Sequence, residues 1–188
     1  MGKSNTTLFA VLGVLSQGDC TGYEIKKRFD GSLRHFWSES FGQIYPVLKQ
    51  LVKQEYAEEI PFPDRTRGQK KFRITPLGLD YFREWLSNPA RAVNYRDELL
   101  LKVYFATSKD TDAVQALLEK ERDEFAAMHQ IYLEQSNLLD KHKEDEEYPF
   151  WMLTLRYGIL SSKARMDWCT ESLETLERLK GKGGSSHE

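Results

Sequence analysis

The stretch from Ser40 to Tyr56 constrains the fold most, because it predicts one amphipathic helix with two different faces. Its apolar side chains recur at the spacing that aligns them along one side of a helix, namely Ile44, Val47, Leu48 and Leu51. The opposite side carries Gly42, Pro46, Lys49 and Lys53, flanked by Tyr45 and Gln50. Because this outer side has lysines, an amide and a phenol but no carboxylate, it suits a polyanion. A core helix with an ordinary polar outside explains the same residues equally well.

The start of this helix is predicted from its capping residues. Ser40 followed three residues later by Gln43 matches the capping-box pattern. Pro46 lies inside the helix, where proline removes a hydrogen bond and crowds the residue four positions back. That residue is Gly42, which has no side chain to add to the crowding.

Two further helices are predicted before this stretch. Thr6–Ser16 has an apolar stripe, made of Leu8, Val11, Leu12 and Leu15. Thr21 and Glu24 form a second capping-box pattern, which opens a helix from Tyr23 to about Gly31.

After Tyr56 the pattern changes to short strands. Tyr56–Ile60 and Lys70–Thr75 are predicted to pair as a hairpin across a turn rich in proline and glycine. The hairpin tip and return strand are cationic, with Arg65, Arg67, Lys70, Lys71 and Arg73. A helix over Pro76–Leu86 follows, with Leu79, Phe82 and Leu86 as its predicted inward set.

Three helices followed by a basic hairpin predict a winged helix-turn-helix, in which the third helix enters the major groove of DNA. The charge distribution agrees, since residues 1–86 carry 13 lysines and arginines against 10 acidic residues, and the remainder carry 14 against 19. The lysines and arginines would neutralise phosphates, while Gln43, Tyr45 and Gln50 suit base edges or sugar. A solvated surface hairpin remains the alternative for the wing cations.

The second half of the chain predicts long helices. They span Asp97–Ala106, Asp112 to about Leu139, and Trp151 to about Leu179. Their apolar seams are too large to bury on a small winged domain, which predicts an antiparallel dimerisation domain. The predicted interface residues are Leu118, Phe125, Trp151, Leu155, Ile159, Trp168 and Leu173. A helical hairpin packed within one chain is the alternative.

The predicted fold class is therefore mainly α with a small β-hairpin. We expect a winged helix DNA-binding domain over residues 1–88, a helical dimerisation domain over 95–180, and a disordered tail over 181–188.

Composition excludes several other classes. The two cysteines, Cys20 and Cys169, are far apart, which argues against a disulfide scaffold and for a reducing compartment. The longest apolar run, Leu8–Leu15, is too short to span a bilayer, so we expect a cytoplasmic protein. Four dispersed histidines give no metal-ligand cluster. We find no nucleotide-binding or hydrolase motif, and we predict neither a cofactor nor enzymatic activity.

Several runs of the sequence resemble the PadR family of bacterial transcriptional regulators. The most specific run is Phe36-Trp37 followed by Gly42–Pro46. Gly22–Ile25 and Phe72–Thr75 also match, and Arg96–Phe105 with Leu155–Gly158 resembles the branch that has a larger C-terminal domain.

This resemblance implies a homodimer that binds an inverted-repeat operator, usually as a repressor, and is released by a small effector. Family effectors include phenolic acids and planar aromatic drugs. The resemblance places DNA contacts at the basic wing and at Tyr23, Ser40, Gln43, Tyr45, Pro46 and Lys49. One departure is Glu55, since the family usually ends its third helix on glycine, the residue preferred in a left-handed cap.

The sequence thus predicts a dimeric DNA-binding regulator. The alternative is a winged-helix module that binds another protein instead of DNA, which the acidic second half and Glu55 would explain.

Overall fold

The computed structural model describes residues 6–33, 36–37, 39–61, 70–90, 92 and 96–183. The chain divides into two compact units, one within residues 1–93 and the other within residues 94–188.

The first unit is a small helical bundle with a short sheet. Its first three helices are α1 (Thr6–Ser16), α2 (Gly22–Arg28) and α3 (Phe41–Lys53). A π-helical turn, Phe29–Leu33, continues α2. The predicted inward side chains are buried, and α1 is buried more widely than its stripe predicts, because Phe9 and Val14 are also inside. This core is what holds α3 with one face outward.

The sheet has three antiparallel strands rather than the predicted two. They are β1 (Cys20–Thr21), β2 (Ala57–Ile60) and β3 (Lys71–Ile74), in the spatial order β1-β3-β2. Cys20 pairs with Phe72, and Glu59 pairs with Phe72 from the other side. The sheet therefore ties the start of α2 to the return strand of the wing.

Helix α4 (Pro76–Ser87) packs on α1 through aromatic rings. The Phe9 ring stacks on Trp85 with centroids 4.8 Å apart and lies 5.1 Å from the ring of Tyr81. The prediction that Leu86 faces inward is wrong, since 60% of its side chain is exposed. Trp85 occupies the inward position instead, because its larger ring reaches Phe9.

The second unit consists of α5 (Glu98–Phe105), α6 (Thr111–Leu139) and α7 (Tyr148–Gly183). Helices α6 and α7 run antiparallel, since Lys180 near the end of α7 contacts Asp112 and Gln115 at the start of α6. The predicted tail begins too early in the sequence, because helix α7 continues through residues 181–183. Residues 184–188, the rest of that predicted tail, lie outside the described residues.

No helix in the described part of the chain is both long enough and apolar enough to cross a membrane.

Candidate nucleic-acid interface

The first turn of α3 is fixed by Gln43. Its Oε1 accepts hydrogen bonds from the backbone N–H of Ser40 at 3.0 Å and from the Ser40 hydroxyl at 2.9 Å. These two bonds hold the helix start at Ser40, as the sequence predicts. They also occupy the amide oxygen, which leaves the Gln43 amino group as a donor. While this cap persists, Gln43 suits an acceptor on a base rather than the paired donor and acceptor of adenine.

The two faces of α3 separate cleanly. Ile44, Leu48 and Leu51 are fully buried, and Val47 is nearly so. The opposite face is exposed, and it carries Gln43, Tyr45, Pro46, Lys49, Gln50 and Lys53. The exposed face therefore presents two ammonium groups and several hydrogen-bonding groups, with no carboxylate in residues 41–53 to repel a phosphate.

Tyr45 is positioned by a glycine on the neighbouring helix. A Cβ atom built on Gly22 would lie 2.8 Å from Cζ of the Tyr45 ring, closer than side-chain atoms approach each other. Only glycine at this first position of α2 lets the ring lie across the helix start. Helix α2 itself begins with the predicted capping box, since Thr21 N–H donates to Glu24 at 2.7 Å and Glu24 N–H donates to the Thr21 hydroxyl at 3.2 Å.

The end of α3 has a left-handed cap occupied by glutamate. Glu55 has a φ of 62°, and its N–H donates to the carbonyl of Val52 at 3.1 Å. The N–H of Tyr56 donates to the carbonyl of Leu51 at 2.9 Å, which completes a Schellman motif. The helix-to-wing turn therefore has the geometry that glycine would give, although the residue is not glycine.

The wing cations differ in their availability. Arg73 is engaged by Asp19 through two hydrogen bonds of 2.9 and 2.7 Å, and this contact holds the pKa of the Asp19 carboxyl below its usual value. Lys70 pairs with Glu59 at 2.8 Å on the surface. Lys71 is half-buried on β3. Arg65 and Arg67, also predicted to contact DNA, lie outside the described residues.

The structure adds Phe41 to the candidate interface, a residue that the sequence did not single out. Phe41 is the first residue of α3, and 44% of its side chain is exposed. Its ring neighbours those of Tyr23 and Tyr45, with centroids 6.4 and 6.3 Å away. The spacing of Phe41, Tyr45 and Lys49 at every fourth residue could have indicated this line along the helix.

The seven residues predicted for a dimer interface pack within the single chain. Leu118, Ile159 and Leu173 are buried, so their side chains have little surface left for a partner. The others are half-buried, namely Phe125, Trp151, Leu155 and Trp168. Leu118 and Leu173 belong to a core that joins α5, α6 and α7. A dimer interface at these seven residues stays a prediction.

A second apolar stripe runs along the opposite side of α7. Phe150, Leu153 and Tyr157 each expose about 70% of their side chain, and Leu160 exposes 52%. Their spacing of three and four residues puts them on one helix face. Tyr104 and Phe105 on α5 are similarly exposed. Single exposed apolar residues are ordinary, but a row of large ones marks an interaction surface.

Charged groups lock α5 to the long helices. The Arg165 guanidinium contacts Oδ2 of Asp97 at 2.7 Å and Oε1 of Glu121 at 2.7 Å. Its carbon lies 4.7 Å from the centroid of the Trp168 ring. The other carboxylate oxygen of Asp97 accepts from the N–H of Leu100 at 3.0 Å and so caps α5. Arg165 of α7 therefore links the start of α5 to α6 and is not an exposed cation.

Within the residues that the structure describes, histidine, cysteine and carboxylate side chains do not gather into a group of three that could hold a metal ion.

Comparison with known proteins agrees with this two-part architecture. The family model "Transcriptional regulator PadR-like family" matches residues 11–84, the winged unit. The model "Virulence activator alpha C-term" matches residues 95–177, the helical unit. The winged unit therefore carries the PadR-like region of this chain. The second match fits the PadR-like branch that has the larger C-terminal region.

One curated relative is similar to this chain in sequence, and its solved structures are similar in fold. The negative transcriptional regulator PadR of Bacillus subtilis is 33% identical over 99 residues, which are 52% of this chain and 54% of that protein. That match spans about half the length of the curated relative. The solved structure of Bacillus subtilis PadR with operator DNA has a TM-score of 0.81 at 24% identity, covering 91% of this chain and 99% of that one. A structure of the same regulator with p-coumaric acid has a TM-score of 0.75 at 24% identity, covering 90% and 97% of the two chains. At this identity the two structures establish the shared fold.

Proposed function

We propose that this chain is a homodimeric repressor that binds an inverted-repeat operator in double-stranded DNA. The observation that carries the proposal is the exposed face of α3. Lys49 and Lys53 point outward there without a neighbouring carboxylate on the helix, while the opposite face is locked into the core. A helix presented in this way fits the major groove, where its lysines neutralise phosphates and its polar side chains meet base edges.

The proposed dimer follows from the number of helices that can enter the major groove, which we call reading helices. One chain presents one such helix, α3, and an inverted repeat has two half-sites about one helical turn apart. A second copy supplies the second helix. The exposed apolar stripe of α7 supports this arrangement, because it offers a surface that a second copy can cover.

We further propose that a small phenolic or planar aromatic effector releases the operator. The support is the family resemblance together with the p-coumaric acid complex of the Bacillus subtilis relative. The protein would act in the cytoplasm without a cofactor and without catalysing a reaction.

The test is a titration of the purified protein against duplex DNA from upstream of its own coding region and against a scrambled duplex of the same length. Measurements at about 50 and about 200 mM salt separate phosphate contacts from base contacts. The proposal predicts selective binding to the upstream duplex that weakens steeply at the higher salt. Adding p-coumaric acid or related phenolic acids to the bound complex then screens for release.

A protein that does not bind DNA would give a different result in the same titration. If neither duplex binds at the lower salt, the operator-binding proposal fails, and a protein-interaction module becomes the better description. A single stoichiometric protein partner recovered by affinity purification would then support that description.

A further inference from the structure

Phe41 is a partly exposed apolar residue that lies outside the buried core cluster of its unit. The aliphatic residues Ile44, Leu48 and Leu51 of α3 are fully buried. Phe41 lies outside that core and exposes 44% of its side chain to solvent. An isolated exposed ring would need no explanation, but this one stands at the N-terminal end of the candidate reading helix.

Two aromatic rings and one ammonium group neighbour the ring of Phe41. Tyr23 lies nearly parallel to it at an interplanar angle of 15°, and Tyr45 lies at 26°. The ammonium of Lys26, which is ion-paired with Asp30, lies 6.0 Å from the ring centroid. Tyr45 is in turn fixed over Gly22. These neighbours place Phe41 in an aromatic cluster at the start of α3.

The exposed part of the ring offers apolar contact and no hydrogen-bond donor. In a helix-turn-helix, the N-terminal residues of the reading helix contact base edges in the major groove. The base edges there present polar atoms, with one apolar substituent, the 5-methyl group of thymine. Lysines nearby on α2 and α3 attract the phosphates that border such a base.

We propose that Phe41 is a specificity-determining residue that recognises thymine by packing against its 5-methyl group. This inference rests on the proposed DNA-binding function. It assigns to Phe41 a preference for thymine at one position of each half-site, and it leaves the phosphate contacts to the lysines.

The test removes the methyl group from the DNA and the ring from the protein. A duplex is first obtained by selecting a random-sequence library on the full-length wild-type protein. The thymines in that duplex are then replaced by deoxyuridine, which lacks only the 5-methyl group, one symmetry-related pair at a time. Dissociation constants are measured for the wild type, for Phe41→Ala and for Lys49→Ala.

For the wild type, deoxyuridine at one symmetry-related thymine pair should weaken binding about 3–5-fold per site, the effect of removing one buried methyl group from the interface. In Phe41→Ala the thymine and deoxyuridine duplexes should bind equally. Lys49→Ala is the matched control, because it should bind both duplexes more weakly and still distinguish them. Phe41→Gln, which keeps the side-chain length without the apolar ring, should behave like Phe41→Ala and guards against a folding defect in one variant.

An undiminished preference for thymine over deoxyuridine in both Phe41 variants would overturn the assignment. So would a wild-type protein that binds its selected duplex tightly but responds to no deoxyuridine replacement. Failure of the DNA-binding function itself looks different, because no sequence would be enriched and binding would not fall with salt. That result would remove both proposals.

Discussion

Glu55 adopts the left-handed backbone conformation that glycine favours. Placing glutamate in this conformation has a predictable effect on stability. A left-handed φ costs an ordinary L-residue roughly 1–2 kcal/mol, whereas glycine adopts it freely but loses more entropy on folding. Replacing Glu55 with glycine should therefore raise the free energy of unfolding by about 0.5–1 kcal/mol. Urea denaturation measures this change.

Glu55→Ala is the control for that prediction, because it removes the carboxylate but keeps the strained φ. Both variants should bind DNA slightly more tightly, since both remove a negative charge at the helix end. Only the glycine variant should be more stable. Equal stability of the two variants would show that the backbone conformation carries no cost here.

Gly78 is required by a close approach of two backbone segments. A Cβ atom at this position would lie 2.0 Å from the carbonyl oxygen of Tyr56, within the turn that follows α3. Gly78→Ala should lower the free energy of unfolding by at least about 2 kcal/mol, because a backbone oxygen must move to make room. Thermal or urea unfolding of the variant checks this.

Gly42→Ala serves as the comparison in the same unit. Its added Cβ would meet the Ser40 hydroxyl oxygen at 3.6 Å, which is an ordinary contact. Alanine is also the better helix former, so this variant should be at least as stable as the wild type. A loss of stability in both glycine variants would argue against a site-specific clash at Gly78.

At the scale of elements, α5 is held by the apolar packing of Leu99 and Val103 and by one charged contact. None of the residues of α5 is buried, yet Asp97 caps the helix and contacts Arg165. Asp97→Asn keeps a capping oxygen but loses the charge, and it should cost about 1–3 kcal/mol of stability. Hydrogen exchange should accelerate most at the amides of α5.

Glu98→Gln is the matched control on the same helix. Glu98 pairs with Lys102 on the surface, where ion pairs contribute little. Its removal should leave the exchange rates of α5 unchanged. Comparable acceleration in both variants would mean that the Asp97–Arg165 contact contributes no more to the stability of α5 than a surface ion pair does.

The elements differ in how well the sequence predicts them. Helix α3, its buried face and its Gln43 cap were predicted because periodicity and capping are local signals. Strand β1 was missed, since its two residues are fixed by pairing with Phe72 and Lys71, about 50 positions away. The shape of the turn at Glu55 could not be predicted either. The hydrogen bonds of the Schellman motif that ends α3 outweigh the preference of glutamate for a right-handed φ.

The candidate interfaces were predictable to different degrees for a similar reason. The outer face of α3 was identified from charge and periodicity, whereas Phe41 was missed because an aromatic residue at a helix start resembles core. Helix α7 carries apolar side chains on both sides, and the sequence alone does not say which side packs against α6. The seven predicted interface residues lie on the packed sides.

At the scale of the whole molecule, the exposed stripe of α7 predicts where a second copy binds. The double variant Leu153→Glu with Tyr157→Glu would place two charges in the surface that we propose a second copy covers. The double variant should weaken self-association by about 100-fold or more. Sedimentation velocity at micromolar concentrations measures this, and the double variant should sediment as a monomer.

Lys163→Glu is the control for this variant, because Lys163 is exposed on the same helix and pairs with Asp167 instead of an apolar neighbour. It should leave the association state unchanged. A wild-type protein that is itself monomeric at these concentrations would contradict the proposed dimer.

The proposed function depends on α3 meeting DNA through its outward lysines. The measurement that tests this most directly is the salt dependence of binding to the upstream duplex, for the wild type, for Lys49→Ala with Lys53→Ala, and for Lys141→Ala as a single-lysine control in the other unit. We predict that the double variant binds more weakly and that the slope of log affinity against log salt becomes shallower by about 0.9 for each phosphate that a lysine no longer neutralises. Lys141→Ala should match the wild type. Unchanged affinity and slope in the double variant would contradict the assignment of α3 as the DNA-reading helix.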